Sequence, residues 1–213
     1  NNGTYGLTKG QFSATNDKGS TSKKGVPNLY EPIDLVSLAL QLGASFVARS
    51  FSGDKGQLVP LIKAALKHKG MAFIDVISPC VAFNNHAGST KSFEFVREHM
   101  HSAVHADLIL GQPEITADYA SGTEEKVTMP DGSILRLYKV DADYDPYDRV
   151  GALTYVQKMH GEGQVATGLL YVDPDAVECH DIMGTTSQPL NELAEDTLCP
   201  GAEVLRAINQ SYR

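Results

Sequence analysis

Between residues 33 and 77 the chain runs twice through one pattern, a helical apolar face followed by a short β-forming run. This constrains its fold more than any other feature. Ile33, Val36 and Leu40 recur at helical spacing after Pro32 and before Gly43. Residues 45–50 then read as a strand centred on Phe46 and Val47. Asp54 is placed to cap a second helix, in which Leu58, Leu61, Ile62, Ala65 and Leu66 share a face. Lys67 and Lys69 fall near its carboxyl end, where the helix dipole favours cations. Gly70 ends that helix, and residues 71–77 are apolar enough for a buried strand. Helix, strand, helix, strand predicts an α/β fold with a parallel sheet and crossover helices, whose ligands gather at the carboxyl ends of the strands.

The first eleven residues follow a different logic. Asn1-Asn2-Gly3-Thr4-Tyr5-Gly6-Leu7-Thr8-Lys9-Gly10-Gln11 carries three glycines, two adjacent carboxamides and a lysine, with no apolar periodicity. The glycines let backbone turn tightly and approach a ligand. Carboxamide and carbonyl oxygens are hard donors that suit magnesium, and a lysine with nearby N–H groups suits phosphate or carboxylate. On composition alone the stretch also reads as a polar surface loop. A second short segment, Ser78-Pro79-Cys80-Val81-Ala82-Phe83-Asn84-Asn85, closes the second strand: Pro79 stops it and sets Cys80 at the carboxyl edge of the sheet.

The order Asn-Asn, then Tyr-Gly-Leu-Thr-Lys-Gly-Gln, resembles the second half of the thiamine diphosphate motif in β subunits of 2-oxoacid:ferredoxin oxidoreductases, nearest to the 2-oxoglutarate branch. The resemblance covers residues 1–85 well and the remainder loosely. It implies part of a thiamine diphosphate-binding fold, a parallel sheet with flanking helices, plus a C-terminal α+β extension. Residues 1–99 would form the second half of the cofactor domain, and 100–213 would pack on that domain or on a partner subunit. The Gly-Asp-Gly half of the motif is not among these residues, so the chain is expected to be the later part of a longer subunit.

By motif position, the resemblance places the Asn2 side-chain oxygen and the Thr4 carbonyl on Mg²⁺, Gly6 and Leu7 against the cofactor, and Thr8 and Lys9 at the substrate carboxylate. It makes Cys80 one ligand of a 4Fe–4S cluster. One cysteine cannot hold such a cluster, since four thiolates are usual, so the other ligands are expected upstream of residue 1. The implied activity is oxidative decarboxylation of a 2-oxoacid with CoA, 2-oxoglutarate to succinyl-CoA as first choice, with electrons passed to ferredoxin. Activity would need the complete enzyme, with its α subunit. Pyruvate or a broad range of 2-oxoacids is the near alternative. A non-catalytic interaction module of the same fold is the distant one, and the coding sequence upstream of Asn1 separates them.

Charge excludes a further class. A formal net charge of −8 and a pI near 5.3 argue against nucleic acid as the main partner, because phosphate binding needs clustered cations. No apolar run is long enough to span a bilayer. Cys80, Cys179 and Cys199 are odd in number and widely spaced, unlike a secreted disulfide framework, so a reducing cytoplasm is expected. Cys179 and Cys199 read as structural.

The rest of the chain predicts further elements. Ser89 or Thr90 would cap a helix through His99 with Phe93, Val96 and Met100 on one face. His86, His99, His101 and His105 lie close in sequence, but a metal site there is the weaker reading. Residues 125–129 and 133–140 alternate around Pro130-Asp131-Gly132, a hairpin signal. The run Asp141, Asp143, Asp145 and Asp148 precedes a helix over 147–160, whose amino end explains it better than calcium does. A last strand over 164–172, an extended 181–189, a short helix over 191–198 and a final helix over 202–212 complete the expectation.

Overall fold

The computed structural model describes residues 1–109, 124–128, 134–139, 143–199 and 201–212. The opening stretch forms two short strands, β1 (Thr4–Tyr5) and β2 (Gln11–Phe12), paired antiparallel with Thr4 opposite Phe12. Residues 13–33 continue without helix, held by turns and one bridge between Thr21 and Pro27. Helix α1 (Leu35–Gln41) starts later than the apolar pattern suggests, because the Asp34 carboxylate accepts the Ser37 N–H at 3.2 Å and caps it. Strand β3 (Phe46–Phe51), helix α2 (Lys55–Lys67) and strand β4 (Ala72–Ile77) follow as read. Asp54 is the α2 cap, accepting from Gln57 at 3.1 Å. β3 and β4 are parallel, in register from Phe46 opposite Ala72 to Phe51 opposite Ile77.

Helix α3 (Phe93–His99) is capped by Ser92, not by Ser89 or Thr90. Both candidates are engaged elsewhere: the Ser89 hydroxyl donates to Asn84, and the Thr90 hydroxyl donates to Asp17. The histidine-rich stretch is a strand, β5 (Met100–Ile109). His101 and His105 are exposed, while Ala103 and Val104 are fully buried. β6 (Glu124–Thr128) and β7 (Ile134–Lys139) pair antiparallel, as the hairpin pattern predicts; the turn residues Pro130, Asp131 and Gly132 lie outside the described residues, as does Asp141. Helix α4 (Arg149–Gly161), capped by Asp148, leads into β8 (Val165–Val172).

β8 is last in sequence but central in space. The six-stranded sheet runs β4-β3-β8-β5-β7-β6, with β8 antiparallel to β3 and parallel to β5. A central strand must be apolar on both faces, and from Ala166 to Val172 every β8 residue is buried. The sheet is therefore mixed, and it runs across residue 100. The chain divides into two compact units, Asn1–Ala176 and Val177–Arg213. The second holds α5 (Cys179–Met183), which takes the first three residues of the run expected to be extended and is ended by Gly184 in the left-handed conformation. A 3-10 turn over Leu190–Glu192, α6 (Glu195–Leu198) and α7 (Gly201–Ser211) follow, and none of its described residues is buried.

In the first unit α2 packs on one face of the sheet and α1 with α4 on the other. Successive β3 side chains show this alternation. Ser50 donates to the Gln57 side chain of α2 at 2.9 Å, and Gln57 donates on to Ser102 of β5 at 2.9 Å and Thr167 of β8 at 3.3 Å. The neighbouring Arg49 points the other way. Its guanidinium pairs with Asp34 at the head of α1 and, at 3.0 Å, with Asp75 of β4. Between these polar ties lies the core of Leu40, Phe46, Val47, Leu61, Leu169 and their neighbours. Full burial of one such side chain is worth about 2 kcal/mol. An exposed pair such as Lys18–Glu31 is worth about 1 kcal/mol at most. The core, then, and not surface charge, holds the unit together.

Burial opposes ionisation of Asp34, but Arg49 and the hydrogen bonds from Ser37 outweigh it and hold the carboxyl below its usual range. Asp34→Ala removes a cap and one partner of a buried guanidinium, an expected cost of about 2–3 kcal/mol in denaturant unfolding of the intact protein. A depressed folded pKa gives stability that is full above the unfolded value of about 4 and lost as pH falls through the folded value. The gap between wild type and Asp34→Ala should therefore close on acidification below about pH 4.

Candidate functional site

The opening loop is fixed to the carboxyl edge of the sheet by backbone. The Asn1 nitrogen donates to the Val76 carbonyl at 2.8 Å, and the Ser78 N–H donates to the Asn1 carbonyl at 2.9 Å. That is the parallel ladder pattern, with Asn1 opposite Ile77 at the end of β4. The Asn1 side chain adds a bond from Thr15 at 2.8 Å and one to Asp75 at 3.4 Å, the carboxylate that also holds Arg49. The charged cluster of β3 and β4 thus extends to the first residue of the loop.

From there the loop lies against the turn after β4. The Phe83 and Asn84 N–H groups donate to the Cys80 carbonyl at 3.1 and 2.7 Å, closing a tight turn. Each glycine of the loop faces one residue of it. A Cβ on Gly3 would stand 2.9 Å from Asn84 Nδ2, one on Gly6 3.8 Å from Cys80 Sγ, and one on Gly10 3.2 Å from the Phe83 ring. Gly3 also has φ +69, so any side chain there meets backbone strain as well as crowding. The two segments singled out in the sequence, residues 1–11 and the Cys80 turn, form one site.

Asn2 and Thr4 face the same way within it. The Ser13 N–H donates to the Gly3 carbonyl at 2.9 Å, so in an antiparallel ladder the next pair, Thr4–Phe12, is the non-hydrogen-bonded one. Its N–H and C=O therefore point away from β2. The Thr4 N–H donates to Asn2 Oδ1 at 3.1 Å, which puts the Asn2 carboxamide oxygen and the Thr4 carbonyl on one side of the strand. Two hard oxygens so arranged suit Mg²⁺. The Thr4 hydroxyl and both polar atoms of the Asn16 side chain are buried beside this arm without a partner, as groups awaiting a polar ligand or water would be.

The tip is open. Leu7 is 97% exposed, and Thr8 and Lys9 are exposed too, with Thr8 hydrogen-bonded to Gln11. Lys9 has φ +73, held by its N–H to the Gly6 carbonyl at 3.1 Å. Leu7, Thr8 and Lys9 thus share the loop with Asn2, Thr4 and Gly6 and are open to solvent. A cavity of about 210 Å³ lies elsewhere, lined by Asn1, Asp17, Arg49, Lys91 and His160 among others. Its cations are already matched, Arg49 by Asp34 and Asp75, and Lys91 by Asp17 at 3.0 Å. Cys80 is a free thiol of intermediate exposure. Among the described residues no three His, Cys, Asp or Glu side chains group as metal ligands, His99, His101 and His105 included. One thiolate from this chain would need partners from elsewhere to hold a cluster.

Sequence reasoning missed Asn84 and Asn16. Asn84 was visible only as part of a motif; nothing in its type or spacing showed that it reaches back to residue 2.

Known proteins resemble parts of this chain. Residues 1–76 match the thiamine pyrophosphate enzyme, C-terminal TPP binding domain family. Over 86 residues the chain is 46% identical to a 2-oxoacid:ferredoxin oxidoreductase subunit beta of Saccharolobus solfataricus, covering 40% of this chain and 28% of that protein. Over 149 residues it is 32% identical to a 2-oxoglutarate synthase subunit KorB of Methanothermobacter thermautotrophicus, covering 59% and 51%. The matches thus span about half the length of such relatives, or less. In three dimensions it is similar to a 2-oxoglutarate:ferredoxin oxidoreductase of Magnetococcus marinus, solved with 2-oxoglutarate, coenzyme A and succinyl-CoA. The TM-score is 0.56 at 23% identity, over 89% of this chain and 53% of that one, a likeness of fold. The resemblance to β subunits and the α/β class read from the sequence are borne out. No helix among the described residues is long and apolar enough to cross a membrane.

If the glycines are there for close packing, Gly3→Ala should cost more than backbone strain. Gly25 has a similar φ of +76 but open space around it. Gly25→Ala should therefore lose about 1 kcal/mol in unfolding free energy and Gly3→Ala about 2–3 kcal/mol, because only the second must also displace Asn84 or Lys91.

Proposed function

We propose that this chain is the part of a β subunit of a 2-oxoacid:ferredoxin oxidoreductase that carries the second half of the thiamine diphosphate site, with 2-oxoglutarate as the 2-oxoacid. The seating of the opening loop on the Cys80 turn supports this most directly. The Asn84 side chain bonds the Asn2 carbonyl at 2.8 Å, and a Cβ on Gly6 would come within 3.8 Å of Cys80 Sγ, so a loop suited to magnesium and pyrophosphate lies beside a free thiol at the sheet edge.

In this reading each residue of the loop has a role. Asn2 offers its carboxamide oxygen and Thr4 its carbonyl to Mg²⁺, both oriented by the bond between them. Gly6 leaves the backbone bare where the cofactor comes close, and Leu7 gives an apolar cover. Lys9, with Thr8, offers a cation and a hydroxyl to the carboxylate of the 2-oxoacid. Their exposure means that other parts of the enzyme complete that wall. Thiamine diphosphate, when bound, supplies the nucleophilic carbon and the electron sink for decarboxylation. Cys80 supplies one thiolate to a 4Fe–4S cluster whose other ligands come from outside these residues, and ferredoxin takes the electrons onward. An α subunit and CoA belong to the same reading, and so does a cytoplasmic location.

In the intact enzyme, Asn2→Ala should weaken magnesium-dependent thiamine diphosphate binding by about tenfold or more, measured by titration of the cofactor-free protein. Lys9→Ala should raise KM for 2-oxoglutarate about tenfold or more while leaving cofactor content unchanged. Unaltered KM would remove Lys9 from the substrate site. Assays with pyruvate beside 2-oxoglutarate decide the 2-oxoacid.

A further inference from the structure

Asn84 is fully buried and uses both ends of its side chain. Nδ2 donates to the Asn2 carbonyl at 2.8 Å, and Oδ1 accepts from the Ser89 hydroxyl at 2.8 Å. Ser89 donates also to the Asn84 carbonyl at 2.9 Å, and the Asn84 N–H donates to the Cys80 carbonyl at 2.7 Å. One residue therefore joins the backbone of Asn2 to the turn that carries Cys80, with Gly3 cleared of side chain to let it through.

We infer that Asn84 is a positioning residue, a strut that sets the magnesium-binding arm relative to the cluster-binding turn. The inference rests on the functional reading above. The Asn2 carboxamide can meet a metal only if its backbone is held. Asn1 is held by β4 and the Gly3 carbonyl by Ser13, and between those ties the exposed Asn2 is fixed through its carbonyl by Asn84. Because Asn84 bonds the peptide between Asn2 and Gly3, its loss frees the ligand arm without touching a ligand. The same loss unties the Cys80 turn from the backbone of Asn2, while the bonds within the turn, made by backbone, stay. An asparagine suits this place because a carboxamide offers a donor and an acceptor at opposite ends of one short, planar group. Aspartate has the same shape but no donor for the Asn2 carbonyl.

The test uses the intact β subunit in its complex and reads two quantities that packing alone does not set. These are the Mg²⁺ concentration for half-maximal thiamine diphosphate binding and the electron paramagnetic resonance spectrum of the reduced cluster. Asn84→Asp should raise the Mg²⁺ requirement by about tenfold to a hundredfold, the usual effect of losing a group that orients a metal ligand, and should alter the cluster spectrum. Ser89→Ala removes a bond from the same buried group but leaves the Asn84–Asn2 contact. It should lower the melting temperature with a much smaller change in Mg²⁺ requirement. If Asn84→Asp does not assemble, Asn84→Ser, which keeps a polar group too short to reach Asn2, carries the same expectation. A wild-type Mg²⁺ requirement in the Asn84 variant, with Asn2→Ala weakened, overturns the strut and leaves the metal arm standing. Equal effects of Ser89→Ala and the Asn84 variant overturn it in favour of general packing. No effect in either the Asn2 or the Asn84 variant removes the metal arm itself, and the strut with it.

Discussion

The close packing of a glycine loop on a proline-started turn is the contact on which the site depends. Residues 1–11 bury almost nothing of their own, so they have no internal reason to hold one shape. Their shape comes from the neighbouring turn: Asn84 crowds the space a side chain on Gly3 would need, Phe83 that of Gly10, and Cys80 lies next to Gly6. That turn owes its place to β4, and β4 lies parallel to β3 with Asn1 laddered on its other edge. A chain of backbone hydrogen bonds runs from the middle of the sheet to the loop. Precision at the site is therefore inherited from the sheet and not from the loop.

Two polar clusters secure that inheritance from opposite faces. On one, Arg49 lies between Asp34 and Asp75, tying the start of α1 to two strands and, through Asp75, to Asn1. On the other, Gln57 of α2 reaches Ser50, Ser102 and Thr167 on three different strands. Each group in these clusters has a partner, so burial does not leave it as an unpaid desolvation cost. Their gain is in specificity of arrangement. The hydrophobic core supplies the larger free energy, while the clusters allow one alignment of strands and helices and disfavour its neighbours.

Much of the first unit was legible because its signals are local. Apolar spacing gave α1, α2 and α4, β-rich runs bounded by glycine or proline gave β3, β4 and β8, and aspartates marked the starts of α2 and α4. The misreadings also have local causes. His99, His101 and His105 drew attention as a cluster and hid the burial of β5, where the adjacent Ala103 and Val104 are both buried at a register shift against β8. Ser89 and Thr90 are as good as Ser92 for a cap by type, but their hydroxyls are taken by Asn84 and Asp17, residues far from α3 in sequence or set by the turn. Residues 181–189 hold no run long enough to signal α5, a helix of five residues.

The sequence by itself determined the α/β class, the parallel pair β3–β4, the turn that presents Cys80 and the set of oxygen donors in the opening loop. All of these rest on neighbours within a few residues, where side-chain type and spacing act directly on backbone conformation. Tertiary structure alone decided that β8 enters between β3 and β5, that Cys80 meets Gly6, that Asn2 and Thr4 face one side, and that Asn84 holds Asn2. Apart from the Asn2–Thr4 bond, those outcomes pair residues tens of positions apart, 82 in the case of Asn84 and Asn2. No local preference encodes such a pairing. It exists only once the core has closed and the sheet has fixed which edge the loop and the turn must share.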